Sequence, residues 1–268
     1  MGRYDGFLIC SDLDGTLLPG DKRLPQANLD ALETFMAEGG RFTVCTGRGR
    51  RSYRPMLDVI ACNAPIILGN GSLIYDYAEE GPLHTVCLPE GADALCRDVL
   101  ARFPLSALEV SGDDTIYLHR PNRFSDNHIR FIGFQAQEVP EIDEIPKPWL
   151  KALFVGPEDE LAEIETYVKQ RHSDAYDIFF SHSVLLEVVS RGAGKGDGVA
   201  WMADYLGISH DKVFVMGDFD NDLSMLTRFH SFAPANAAPH IRASADHVVC
   251  DCREGILRDV LAYLEAVT

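Results

Sequence analysis

Phe7-Leu8-Ile9-Cys10-Ser11-Asp12-Leu13-Asp14-Gly15-Thr16 is an apolar run that ends in two carboxylates, one residue apart, followed by a glycine. Four consecutive apolar residues, Phe7 to Cys10, read as a short strand buried on both faces of a parallel sheet. The residues that follow keep the same rhythm. Leu29, Leu32, Phe35 and Met36 fall on one helical face, Pro25 precedes them and Gly39-Gly40 stops them. Arg41-Phe42-Thr43-Val44-Cys45 predicts a second strand ending at Thr46-Gly47-Arg48. A second helix is predicted over roughly residues 51–61, and Pro65-Ile66-Ile67-Leu68 predicts a third strand ending at Gly69-Asn70-Gly71. The order βαβαβ predicts an α/β fold built on an open, doubly wound, Rossmann-like parallel sheet.

From about residue 82 the texture changes to hairpins. Leu108-Glu109-Val110 and Thr115-Ile116-Tyr117-Leu118 flank the turn Ser111-Gly112-Asp113-Asp114, and Tyr176-Asp177-Ile178-Phe179-Phe180 pairs with Val184-Leu185-Leu186-Glu187-Val188-Val189. Helices are predicted near 92–102 and 158–170, and the acidic, proline-bearing stretch 138–148 reads as a loop. Hairpins with helices describe an α+β unit. The βα rhythm returns with a helix near 197–206, the strand Val213-Phe214-Val215-Met216 and a helix after Asp222. The expected organisation is therefore a core in two parts, 1–81 and 189–268, with an inserted α+β cap over 82–188.

The chain is long enough for such a division, at 268 residues of which 46% are hydrophobic. Forty-one acidic against 24 basic residues leave a formal charge of −17, which repels phosphate backbones and anionic lipid, so neither nucleic acid nor membrane is expected as a partner. Seven scattered cysteines, with Cys10 and Cys45 inside apolar strands, read as small hydrophobes in a reduced compartment. No run approaches the ~18 apolar residues of a membrane span, and the first residues lack a signal-peptide core. A cytoplasmic protein is expected.

Polar residues cluster after the strands, where open α/β sheets bind ligands. Asp12 and Asp14 can divide the work of nucleophile or metal ligand and of acid or base; the plain alternative is a capped strand end. Thr46-Gly47-Arg48 offers a hydroxyl and free amides at a turn, suited to an anion. Gly192-Ala193-Gly194-Lys195-Gly196 sets a lysine among glycines before a helix, but it fails as a P-loop because Gly196 stands where Ser or Thr must bind magnesium. Gly217-Asp218-Phe219-Asp220-Asn221-Asp222 packs three carboxylates into five residues and has no EF-hand spacing, since the sixth and twelfth positions are Leu223 and Phe229. Such crowding is costly without a cation, so metal binding is expected there.

In order, Asp12-Leu13-Asp14-Gly15-Thr16, Thr46-Gly47-Arg48, Lys195-Gly196 and Gly217-Asp218-x-x-Asn221-Asp222 resemble the four motifs of the haloacid dehalogenase (HAD) superfamily of phosphatases. The insertion resembles the larger α/β cap of its Cof-type branch, and Asn70-Gly71-Ser72, Ala235-Asn236-Ala237 and Glu254-Gly255-Ile256 resemble further segments of that branch. The resemblance implies a Mg²⁺-dependent phosphatase for a small phosphorylated metabolite, with a sugar phosphate favoured. It implies Asp12 as nucleophile forming an aspartyl-phosphate, and Asp14 as general acid and base. It also implies metal ligation by the Asp12 side chain, the Asp14 backbone carbonyl and Asp218. Thr46, Gly47, Lys195 and Asn221 would hold the phosphate, with Asp222 in an outer layer. Asp220 stands where many Cof-type sequences have Glu, and no loss of activity is expected from that; Arg48 is either a phosphate or cap contact or a surface charge.

Other classes fit less well. No Gly-x-Ser-x-Gly motif occurs, and the nine histidines lack metal spacing. A signalling receiver domain would be about half as long and lacks the Asp-x-Asp-Gly-Thr arrangement. The alternatives left open are a phosphotransferase or phosphomutase using the same aspartyl-phosphate, and a catalytically weak sugar-phosphate-binding protein. Substrate, pathway and the cap residues that set specificity are not legible, and a monomer or a small homo-oligomer fits equally.

Overall fold

Alternation of side chains along the central strands builds one hydrophobic layer on each face of the sheet. Leu8 and Cys10 pack with Val213, Val215 and Cys45 on one face, whereas Ile9 packs with Phe42, Val44, Phe214 and Met216 on the other. The structure, a computed structural model, describes residues 2–112, 114–133 and 135–267; Asp113 of the predicted hairpin turn lies outside the described residues.

The chain begins with β1 (Leu8–Ser11), α1 (Gln26–Ala37), β2 (Arg41–Val44), α2 (Arg50–Tyr53), β3 (Ile66–Leu68), β4 (Leu73–Asp76) and β5 (Gly81–Thr85). The middle stretch contributes α3 (Ala92–Arg102), β6 (Ala107–Ser111), β7 (Ile116–His119), α4 (Arg123–Ile132), β8 (Gln137–Glu138), β9 (Lys151–Val155), α5 (Glu158–His172), β10 (Tyr176–His182) and β11 (Leu185–Ser190). The last stretch adds α6 (Lys195–Leu206), β12 (Val213–Met216), α7 (Leu223–Leu226), β13 (His230–Pro234), α8 (Pro239–Ser244), β14 (His247–Val249) and α9 (Ile256–Val267).

The central sheet has the order β14-β13-β12-β1-β2, and all its pairs are parallel. Helices α1 and α9 pack together on one face and α6 on the other, so the sheet is doubly wound. β3 joins β2 through a single parallel bridge, Cys45 to Ile67, and then turns into the antiparallel ribbon β3-β4-β5. The cap is a separate six-stranded sheet, order β10-β11-β9-β6-β7-β8, with α3 and α5 sharing its apolar cluster. Both expected hairpins, β6-β7 and β10-β11, are antiparallel.

Three local readings change. The helix expected over 51–61 is one α-helical turn, α2, followed by a 3₁₀ turn at Arg54–Asp58, because Pro55 has no amide hydrogen to continue the α-helical ladder. Leu29, expected on the buried face of α1, is 38% exposed, and its neighbour Asn28 is fully buried instead. Asn28 ties three segments: its amide donates to the Leu17 carbonyl at 3.1 Å and its oxygen accepts from the Leu257 amide at 2.9 Å. The acidic stretch around 138–148 does form the expected loop, yet Val139, Ile142 and Ile145 drop into the cap's apolar cluster. No helix among the described residues is long and apolar enough to cross a membrane.

Candidate active site

Parallel strands end side by side, so residues just beyond β1, β2 and β12 are brought together at one edge. The amide of Asp12 donates to the Met216 carbonyl at 2.8 Å, which carries strand pairing one residue past β1 and points the Asp12 carboxyl into the site. Gly15 follows at φ +92, and a Cβ there would stand 2.6 Å from Asp218 Oδ2. Only glycine lets the loop after β1 turn and lie against the loop after β12.

Lys195 opens α6 and is completely buried. Its ammonium donates to Asp12 Oδ1 and, at 2.6 Å, to Asp222 Oδ1. The other Asp222 oxygen accepts the amides of Asp218 at 2.9 Å and Phe219 at 3.1 Å. Asp222 is thus saturated by hydrogen bonds and serves as a brace for Lys195 and for the loop. Asp218 faces Asp12 and accepts the Thr16 hydroxyl at 2.5 Å. Ligand oxygens of Asp12, Asp218 and Asp222 lie within 4.8 Å of one another.

The electrostatics of this cluster ask for a cation. Two buried carboxylates and the partly buried Asp218 surround one ammonium, a formal charge of −2 when all are ionised. Burial pushes the Asp12 carboxyl well above the usual range, against the pull of Lys195. Burial, with repulsion from Asp222, pushes Asp218 up to about 7. Burial also works against the charge on Lys195, but Asp12 and Asp222 outweigh it and hold the ammonium above its ordinary range. An all-oxygen donor set with a charge deficit of two fits a hard divalent cation.

The remaining predicted residues surround that cluster. Thr46 is buried and its hydroxyl accepts the Arg48 amide at 3.2 Å, closing the turn after β2. Asn221 donates to Asn70 Oδ1 at 3.1 Å, and the Asn70 side chain lies against Gly47. Asn70 itself sits at φ +59, a left-handed conformation that asparagine tolerates. Asp12, Asp14, Thr46, Gly47, Asp218 and Asn221 all line one cavity of about 750 Å³ between the sheet edge and the cap; Lys195 and Asp222 stand behind it.

Two acidic side chains near the cation cluster have other partners. The Asp14 carboxyl is held by Arg48, whose Nε and Nη2 donate to its two oxygens at 2.8 and 2.6 Å. Asp220 pairs with His240 at the surface side of the loop. Both have a cation or histidine partner of their own, which the spacing of acidic residues along the chain does not reveal. Sequence reasoning left Arg48 undecided; the bidentate geometry makes it part of the site. It missed the cap side altogether. Lys151 of β9 donates to Glu187 Oε2 at 2.7 Å and to the Gly47 carbonyl at 2.9 Å, joining the cap to the turn after β2. Asn236, within one of the resembling C-terminal segments, donates to the Gly15 carbonyl at 2.8 Å.

A family model described as haloacid dehalogenase-like hydrolase matches residues 9–258. The Bacillus subtilis protein YxeH, which carries the name of a phosphatase, is 30% identical over 253 residues, 89% of this chain and 91% of its own length. An HMP-PP phosphatase of Yersinia pseudotuberculosis is 29% identical over 240 residues, covering 88% of this chain and 86% of the relative. Among solved structures, a sugar phosphatase of HAD subclass IIB superposes with a TM-score of 0.84 at 19% identity, over 97% of this chain and 99% of that one.

Proposed function

The chain belongs to the haloacid dehalogenase-like hydrolases, and from that premise we propose that it is a Mg²⁺-dependent phosphatase of a small phosphorylated metabolite, with a sugar phosphate favoured. The observation that carries this reading is the buried Asp12–Lys195–Asp222 chain beside Asp218, open on Asp12's side to a cavity of metabolite size. We further read residues 1–81 and 189–268 as the core, and 82–188 as the cap, of a cytoplasmic monomer or small homo-oligomer.

In this mechanism the phosphate enters with its oxygens toward the Thr46 hydroxyl, the Gly47 amide and Asn221. Lys195 offsets the charge between the Asp12 carboxylate and the incoming dianion, whose repulsion would otherwise hold them apart. An Asp12 oxygen attacks phosphorus, the bond to the leaving alkoxide breaks, and the alkoxide takes a proton from Asp14. Ionised Asp14, steadied by Arg48, then removes a proton from water; that water attacks phosphorus and releases phosphate from Asp12. Asp12, Asp218 and the backbone carbonyl of Asp14 would hold Mg²⁺, which supplies positive charge to the phosphoryl oxygens when bound. The cap excludes bulk water and carries the contacts to the leaving group.

Hydrolysis of p-nitrophenyl phosphate tests the reading. Activity with Mg²⁺ is expected to vanish in EDTA and to fall by at least 10³-fold in Asp12→Asn. Activity that survives both treatments overturns the mechanism. Transfer of phosphate to an added sugar faster than its release as free phosphate would assign the phosphotransferase reaction instead.

A further inference from the structure

The cap sheet has two faces that differ in chemistry. Leu108 and Val110 of β6, Ala152 and Phe154 of β9, and Leu186 and Val188 of β11 point into the cap's own apolar cluster. Their neighbours point the other way. Glu109, Leu153 and Glu187 lie opposite one another across β6, β9 and β11, and Ser111 and Lys151 form the next row. All five line the cavity over Asp12. A face that closes over a binding cavity has no need of buried charge unless something binds it.

Across these two rows the polar groups are not equally occupied. Lys151 and Glu187 satisfy each other, and Lys151 also reaches the Gly47 carbonyl. Glu109 differs. It is 2% exposed; one carboxylate oxygen, Oε2, is fixed by His128 Nδ1 of α4 at 2.8 Å, and the other, Oε1, has no partner among the described residues. A buried carboxylate oxygen without a donor is unfavourable, and a ligand that donates to it relieves that cost. His128 comes from the face of α4 that lines the same cavity, so the carboxylate is held in one orientation with an acceptor to spare.

We propose that Glu109 is a specificity-determining residue that accepts a hydrogen bond from a hydroxyl of the leaving group, with His128 as its positioning residue. The substrates so selected are polyhydroxylated monophosphates; a carboxylate or a second phosphate at that end would meet the Glu109 charge and be disfavoured. This rests on the phosphatase reading and adds to it which end of the substrate the cap reads, and by what chemistry.

The experiment compares kcat/KM for a panel of hexose, pentose and polyol monophosphates, fructose 1,6-bisphosphate, 3-phosphoglycerate and p-nitrophenyl phosphate, whose leaving group has no hydroxyl. The best wild-type substrate is expected among the hydroxylated monophosphates, at least tenfold above the bisphosphate and the phosphoglycerate. In Glu109→Gln the ratio of kcat/KM for that substrate to that for p-nitrophenyl phosphate is expected to fall fivefold or more, mainly through KM. A merely structural defect lowers both activities together and leaves the ratio in place. His128→Ala, altering a partly exposed residue, is expected to lower the same ratio and serves if Glu109→Gln does not fold. A ratio that falls less than fivefold in the folded variants, or a best substrate that is a bisphosphate or an acid, overturns the proposal. Absence of any Mg²⁺-dependent hydrolysis by the wild type, or p-nitrophenyl phosphatase activity that survives Asp12→Asn, overturns the phosphatase reading itself.

Discussion

Arg48 closes on Asp14 with two parallel hydrogen bonds, and only 8% of its side chain is exposed. A guanidinium in this fork fixes the plane of the carboxyl group, which the single ammonium of a lysine could not do. In the proposed mechanism an oriented Asp14 is what the water-activating step needs. Arg48→Met is therefore expected to lower kcat about 10–100-fold, part of the ~10²–10⁴ that a positioned general base contributes, with KM for p-nitrophenyl phosphate changed less than threefold. Arg48→Lys should recover less than a tenth of the lost rate, and full recovery by lysine would reduce Arg48 to a simple charge. Residues of this kind divide by legibility. Asp12, Asp14, Lys195 and Asp218 stand at strand ends or at a helix start, in short motifs whose order along the chain carries the family resemblance. Glu109 stands in Leu108-Glu109-Val110, an alternation that reads the same whether the polar face meets solvent or closes over a cavity.

At the scale of elements, the cap depends on how α4 is started. Asn122 accepts the amides of Phe124 and Ser125 at 2.9 Å each, while Ser125 Oγ accepts the Asn122 amide, a reciprocal cap. The other end of the same side chain donates to the carbonyls of Leu105 at 3.0 Å and Val155 at 2.8 Å, pinning α4 to β9 and to the loop before β6. Asn122→Ala removes the cap and the ties to the carbonyls of Leu105 and Val155. A loss of about 1–2 kcal/mol is expected, seen as a Tm lower by about 2–8 °C; an unchanged Tm would mean that water replaces the cap without cost. Because α4 carries His128, the same variant should also weaken discrimination by Glu109. The long periodic helices and the hairpins were legible in the sequence because their signals are local. The halt of α2 at Pro55 was not read, because Met56, Leu57, Val59 and Ile60 beyond it keep a helix-like apolar spacing. β13 and β14 were not read, since His230–Pro234 and His247–Val249 are short and mixed in polarity, and only pairing in the sheet stabilises them.

For the whole molecule, where the charge is held matters more than the total of −17. Most acidic residues are solvated, and Asp14 and Asp220 have partners of their own. Asp12, Asp222 and the partly buried Asp218 crowd around Lys195, formally two charges short of neutral when all are ionised. That deficit sets a pH dependence. With Asp218 pushed up to about 7 in the fold, against about 3.9 in an unfolded chain, the folded protein binds the proton more tightly. The metal-free fold is then relatively most stable below about pH 4 and loses stability as pH rises through about 7. A divalent cation competes with that proton. Mg²⁺ at a hundredfold excess over its Kd should add about 2.7 kcal/mol at pH 8, a Tm rise of about 5–10 °C over the protein in EDTA. At pH 5.5 the proton weakens metal binding by about 30-fold and removes about 2 kcal/mol of that gain, leaving a rise of about 2 °C. Asp12→Asn, which takes one charge out of the cluster, should raise Tm in EDTA at pH 8 while abolishing most of the Mg²⁺ increment. Thermal unfolding of both proteins at the two pH values, with Mg²⁺ and with EDTA, measures all of these shifts. An equal Mg²⁺ increment at pH 5.5 and pH 8 would show that the cation binds away from Asp218, and that the buried acidity is compensated in some other way.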